Sequence, residues 1–180
     1  MMGELAIYSG QPVRSGLSRT LSGFTLVELM VTIAVMAVLL AIAVPSFNNA
    51  TLGGKLSSYA NNFVASAHLA RSEAIKRNAA VTLCVSTDGT SCASGGWEQG
   101  WIVLAVSTAT VVQRQQALPT GMKATGSVAS LSFQPSGVGA TSATVTICRA
   151  TPTVGGQERV VSISATGQPT VSRTTAGACV

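Results

Sequence analysis

Residues 23–47 read GFTLVELMVTIAVMAVLLAIAVPSF, and this stretch determines how the rest of the chain is read. From Leu29 to Val44 it holds no charge, and its one strongly polar side chain is Thr32. As a helix rising about 1.5 Å per residue, the positions from Phe24 to Phe47 span roughly 36 Å. A hydrocarbon core is about 30 Å thick, so the run is long enough to cross it. Residues 1–23 are polar and rich in Gly and Ser, with no apolar run of their own. Arg14 and Arg19 on that flank assign it to the cytoplasm by the positive-inside rule, which puts the remainder of the chain outside the inner membrane.

Two residues in the run depart from a generic anchor. Glu28 is an ionisable group near the start of an apolar helix, where burial costs a few kcal/mol and a partner is expected. If the chain were cut after Gly23, the new α-amine of Phe24 would lie one helical turn away and supply that partner. Pro45 removes a helical hydrogen bond and predicts a break or bend there.

The string Gly23-Phe24-Thr25-Leu26-Val27-Glu28-Leu29-Met30 resembles the class III (prepilin) signal of type IV pilins and type II secretion pseudopilins. The resemblance implies cleavage by a prepilin peptidase between Gly23 and Phe24 and N-methylation of Phe24. It also implies an assembly role for Glu28 at the fifth mature position, and it matches Pro45 to the proline at the twenty-second. The partners it implies are the peptidase, other minor and major pilins and the inner membrane. The segment from Ala70 to Asn78, followed by Val81 to Cys84, is similar to the helix-to-strand junction of the GspH/FimT group of minor pilins and pseudopilins.

Beyond Pro45 the pattern changes. Leu52, Leu56, Tyr59, Phe63, Ala67, Ala70 and Ala74 recur at steps of three and four, which predicts an amphipathic helix with one buried stripe. Glu73 and Arg77 are spaced to pair across a turn, and Gly53-Gly54 is a soft point. From Ala79 the period becomes two. Strands are expected near 81–85, 97–106, 109–116, 121–126, 129–134, 143–149, 158–165 and 169–173, separated by Gly, Pro and Ser. The expected fold is α+β and pilin-like, with a long N-terminal α-helix packed on a C-terminal antiparallel β-sheet domain. Its parts are a cleaved leader (1–23), a transmembrane and assembly helix (24–47), the amphipathic half of that helix (48–78) and a periplasmic β-domain (79–180).

Only 9% of the residues are charged, against roughly 25% in an ordinary soluble protein. The formal charge is +5, and nine basic and five acidic residues lie beyond Gly23, scattered rather than clustered. Four cysteines, Cys84, Cys92, Cys148 and Cys179, are too far apart for a zinc site. Their even number after an export-type segment predicts two disulfides. Three pairings are open, and chain order favours Cys84–Cys92 and Cys148–Cys179.

No catalytic, metal or cofactor constellation emerges. His68 is the one histidine, and Asp88, Glu98 and Glu158 are widely separated, so a structural or binding subunit is expected rather than an enzyme. The expected function is a minor pilin of a type IV pilus, helping to initiate assembly near the tip. Two alternatives stay open, a DNA-binding minor pilin for natural transformation and a GspH-type minor pseudopilin of a type II secretion system. DNA-binding members of the FimT group resemble one another in a late Gly-Arg-x-Arg motif. Here the stretch is Gly167-Gln168-Pro169-Thr170, which lacks both arginines and disfavours DNA. Arg149, Arg159 and Arg173 remain as possible DNA contacts if the strands bring them together.

Overall fold

A computed structural model describes residues 23–137, 141–150 and 157–175. Helix α1 runs from Leu26 to Arg77 and is followed by eight strands: β1 (Val81–Val85), β2 (Trp101–Ala105), β3 (Thr110–Gln115), β4 (Met122–Gly126), β5 (Ser130–Phe133), β6 (Ala143–Arg149), β7 (Glu158–Ile163) and β8 (Pro169–Thr174). They form two four-stranded antiparallel sheets, ordered β3-β2-β1-β5 and β4-β6-β7-β8. The expected α+β pilin architecture is present. The chain divides into two compact units, Met1–Ala43 and Val44–Val180.

The expected break at Pro45 is corrected: α1 continues through it. Proline removes one amide donor, but its fixed φ is compatible with a helix, so a break is not obligatory. The helix ends where the sequence placed it. Asn78 adopts a left-handed φ of 48°, its N–H reaches the Ile75 carbonyl, and the Ala79 N–H reaches that of Ala74. These two bonds form a Schellman cap, with asparagine tolerating the conformation usually given to glycine.

The buried stripe is close to the expected one. Leu52, Leu56, Phe63, Ala67, Ala70 and Ala74 are buried, Ala60 takes the place assigned to Tyr59, and Tyr59 is half-buried beside it. Four alanines on this stripe keep it thin, so strands of both sheets reach it: Val81, Leu83, Val85, Trp101 and Val103 from one, Val145, Ile147, Val161 and Ile163 from the other. The expected second strand is shorter at its start, because Trp97–Gln99 is a 3-10 turn. Gly100, at φ 103°, separates the turn from β2, and a Cβ there would come 2.7 Å from the Gln115 carbonyl. Only glycine fits both the conformation and the space.

Cys84 and Cys92 form a disulfide with a Cα separation of 5.5 Å, as expected. Cys148 is also disulfide-bonded. Its expected partner, Cys179, lies outside the described residues. Non-reducing peptide mapping of membrane-extracted protein should recover Cys84 joined to Cys92 and Cys148 joined to Cys179. On the chain-entropy account, opening the short loop by Cys92→Ser should cost about 2–3 kcal/mol in urea unfolding. Free thiols at all four positions in exported protein would refute the compartment assignment.

Candidate functional site

The N-terminal helix is the feature with the least structural explanation in the chain itself. Every described side chain from residue 23 to residue 51 is exposed, including Phe24 at 76% and Phe47 at 72%. A helix serving its own core shows one apolar stripe, whereas this one is apolar all round, as a helix does when lipid or other helices surround it. It is also the helix long and apolar enough to cross a membrane.

The start of that helix has a geometry that the sequence reading overlooked. Gly23, Phe24 and Thr25 precede the first helical residue, Leu26. The Thr25 hydroxyl accepts the Glu28 N–H at 3.2 Å, and the Thr25 carbonyl accepts the Leu29 N–H at 3.1 Å. Thr-x-x-Glu is the spacing of a capping box, and the threonine half of the box is made. That spacing was visible in the sequence. Glu28 therefore sits in the first turn, where its charge also complements the helix dipole. Phe24 lies two residues outside the helix, so bringing its amine one turn from Glu28 requires α1 to extend through Phe24. The peptide between Gly23 and Phe24 is accordingly in exposed, non-helical chain.

The disulfide loop between β1 and β2 is organised by Asp88. Its Oδ1 accepts the N–H groups of Thr90 and Ser91 and the Ser86 hydroxyl, and its Oδ2 accepts the Ser91 hydroxyl at 2.7 Å. The backbone N–H of Ser91, and then that of Thr90, hold the Asp88 carboxyl well below the ordinary carboxylate range. A depressed carboxylate stabilises the fold above its unfolded value and loses that contribution as pH falls, so this loop stays tied throughout the neutral range.

The three arginines singled out from sequence do not form one cluster. Arg159 and Arg173 are cross-strand neighbours on β7 and β8, while Arg149 ends β6 and lines a separate groove with Asn48 and Lys55. Arg159 is only 4% exposed. Its guanidinium donates to the Ser57 hydroxyl at 3.1 Å, the Gly53 carbonyl at 3.2 Å and the Glu158 carbonyl at 3.0 Å. Burial, and secondarily the charge of Arg173, push the Arg159 guanidinium below its ordinary value. The possible DNA contact considered for Arg159 is not favoured by this burial: its guanidinium pins β7 to α1. Gly53 is the docking point, since a Cβ there would meet the Gln157 side chain at 3.1 Å and an Arg159 nitrogen at 3.8 Å.

Three further carboxylates serve the framework. Glu98 accepts the Ala124 N–H, Glu158 accepts the Thr174 hydroxyl, and Glu73 pairs with Arg77 at 2.6 Å, the spacing read from the sequence. The Arg77 hydrogen bond holds the Glu73 carboxyl below its ordinary value. His68 is exposed on α1. Among the described residues no group of three or more His, Cys, Asp or Glu side chains could hold a metal ion.

The sequence profile of the type II transport protein GspH matches residues 59–167, more than half of the chain. The chain belongs to the GspH family. The profile of the prokaryotic N-terminal methylation motif matches residues 19–44, which contain Gly23, Phe24 and Glu28. Two crystal forms of the type IV minor pilin FimU of Pseudomonas aeruginosa have the same fold. One is 24% identical with a TM-score of 0.54, covering 69% of this chain and all of that one. The other is 25% identical with a TM-score of 0.55, covering 71% of this chain and 96% of that one. The minor pseudopilin EpsH of the type 2 secretion system of Vibrio cholerae is 16% identical, with a TM-score of 0.45, and covers 68% of this chain and 98% of that one. No curated protein sequence matches. Membership of the GspH family makes this a chain of the minor pilin and pseudopilin class, carrying the signal for prepilin processing.

Proposed function

We propose that this chain is a minor pilin of a type IV pilus, a structural subunit that helps to initiate filament assembly near the tip. On this reading it is inserted once in the inner membrane with its β-domain in the periplasm. A prepilin peptidase then removes residues 1–23 and methylates Phe24, and the subunit joins other pilins in a surface filament. The observation that carries the reading is the helix from Leu26 to Phe47, apolar on every side and exposed, with Glu28 in its first turn. Such a surface needs lipid before assembly and neighbouring helices after it. The structural role of the β-domain carboxylates supports a non-enzymatic subunit, and the burial of Arg159 adds to the case against DNA capture.

The GspH profile favours a second reading, a minor pseudopilin of a type II secretion system. Deleting the gene separates the two: loss of surface pili with normal enzyme secretion supports the first, and the reverse outcome supports the second. Processing is tested more directly. Mass spectrometry of membrane-extracted protein should find N-methyl-Phe24 as the first residue, and Gly23→Ala should be cut better than a bulky replacement. An intact leader in cells with active peptidase would end both readings.

A further inference from the structure

We infer that the groove between α1 and the β7–β8 hairpin is a binding site for a phosphate group, held between Arg159 and Arg173. The groove has a volume of about 620 Å³, and its lining includes Asn49, Gly53, Ser57, Gln157 and the two arginines. Arg159 and Arg173 are partners in the register of β7 and β8, so their side chains leave the same face of the sheet. Arg159 is 4% exposed, and its hydrogen-bond partners are all neutral: the Ser57 hydroxyl and the carbonyls of Gly53 and Glu158. The charge that acts on it is that of Arg173, another cation. Among the described residues no carboxylate lines the groove, and neither arginine is in an ion pair. The Glu158 carboxylate belongs to the opposite face, where it accepts the Thr174 hydroxyl. Burying a cation is costly without an anion beside it, and a second cation alongside raises the cost. The groove therefore presents two positive charges and no negative one.

The donors define the occupant. Of the five N–H groups of Arg159, three are engaged and two remain. Arg173 is exposed and brings a second guanidinium fork, and Gln157 and Asn49 add side-chain amides. Guanidinium forks match the geometry of phosphate and carboxylate oxygens. Charge separates those two. A carboxylate carries a single negative charge, whereas a phosphate monoester carries about −1.5 to −2 near neutral pH and neutralises both arginines. The diesters of lipids and nucleic acids carry only one charge per phosphate. A duplex backbone also needs guanidinium groups at the surface, and Arg159 lies behind it.

The test follows urea unfolding of the whole detergent-solubilised chain at neutral pH, with phosphate exchanged for chloride at constant ionic strength. The wild-type midpoint should rise along a saturating curve, by about 0.5–1.4 M urea once phosphate reaches about ten times its Kd. Phosphate also stabilises proteins through exclusion from their surface, an effect that does not saturate. Arg173→Gln isolates that background and should show the non-saturating rise alone, its cooperative unfolding in chloride confirming that it folds. Arg173→Lys keeps the charge without the fork and should saturate at higher phosphate than wild type. Arg114→Gln, at an exposed arginine of β3, should respond as wild type does. A wild-type rise that never saturates, or an Arg173→Gln curve that saturates at the same phosphate concentration, would overturn the inference. An equal saturating response to acetate would overturn it too, by making this a carboxylate site. So would duplex DNA binding that Arg173→Gln abolishes while phosphate gives no saturating response. Glycerol 3-phosphate distinguishes two sources of the same group: binding as tight as free phosphate supports a monoester ligand, and binding about tenfold weaker supports the free ion.

Discussion

A Glu28→Ala protein is expected to reach the membrane, fold its β-domain and fail to enter filaments. Removing a carboxylate from the start of an apolar helix relieves an insertion cost of a few kcal/mol, so insertion should not suffer. The fold should not suffer either, because Glu28 lies outside the core cluster, which begins at Leu52 on α1. What is lost is a charge with no partner in the described chain other than its own helix start. Between apolar helices packing alone selects poorly, and one charge pair between subunits sets register. On the proposed processing, the amine that cleavage would expose on Phe24 is the positive member, on the same subunit or its neighbour. Incorporation into sheared filaments should fall about tenfold or more, corresponding to a loss of about 1.4 kcal/mol. The capping contribution is smaller, about 0.3–1 kcal/mol for a carboxylate in the first turn. Glu28→Gln removes the charge and should therefore lose both contributions while keeping the Thr25 cap, which uses the backbone N–H of residue 28. Wild-type assembly by Glu28→Ala would remove the charge pair from the mechanism and leave Glu28 a role in capping or processing.

The largest effect on stability is expected at Phe63. Its ring is fully buried and meets Trp97 and Trp101 edge-to-face, with centroids 4.9 and 5.4 Å away. Those indoles are anchored, Trp97 to the Val128 carbonyl and Trp101 to the Ser66 hydroxyl, so they cannot slide far to fill a vacancy. Phe63→Ala should therefore cost about 3–5 kcal/mol, the usual range for a poorly collapsing aromatic cavity. That is a large share of the roughly 5–15 kcal/mol that keeps a domain folded. Urea titration of the detergent-solubilised chain, followed by tryptophan fluorescence, should show the midpoint shifting by more than about 1 M at an ordinary m-value. A shift within error would mean that the helix does not depend on this contact, and the packing of α1 on its sheets would have to be reconsidered.

Much of the fold was legible because its signals are short-range. Helix periodicity over Leu52–Ala74 survived with one change, Ala60 for Tyr59, since positions one residue apart lie only 100° apart around a helix. Strand positions were read to within a few residues from alternation and turn residues. The error at Trp97–Gln99 came from treating an apolar stretch as extended when Gly100 permitted a tight turn before β2. At Pro45 the helix does not break, because the local rule describes a cost and the helix on either side outweighs it. Thr25 was missed although its spacing to Glu28 stood in the sequence.

By itself, the sequence determined the apolar length that fits a bilayer, the processing signal from Gly23 to Glu28, the cysteine bridge across a short loop and the order of helix and strands. Each depends on residues close together in the chain, where spacing and side-chain chemistry suffice. Only the tertiary structure decided what the arginines do. Arg159 reads as one more surface charge until its guanidinium is found on the Gly53 carbonyl, 106 positions away. Lys55 and Arg149 join in one groove for the same reason. Strand order and the packing of β7 on α1 set those approaches, and no local pattern encodes the distance between residues that the fold alone brings together.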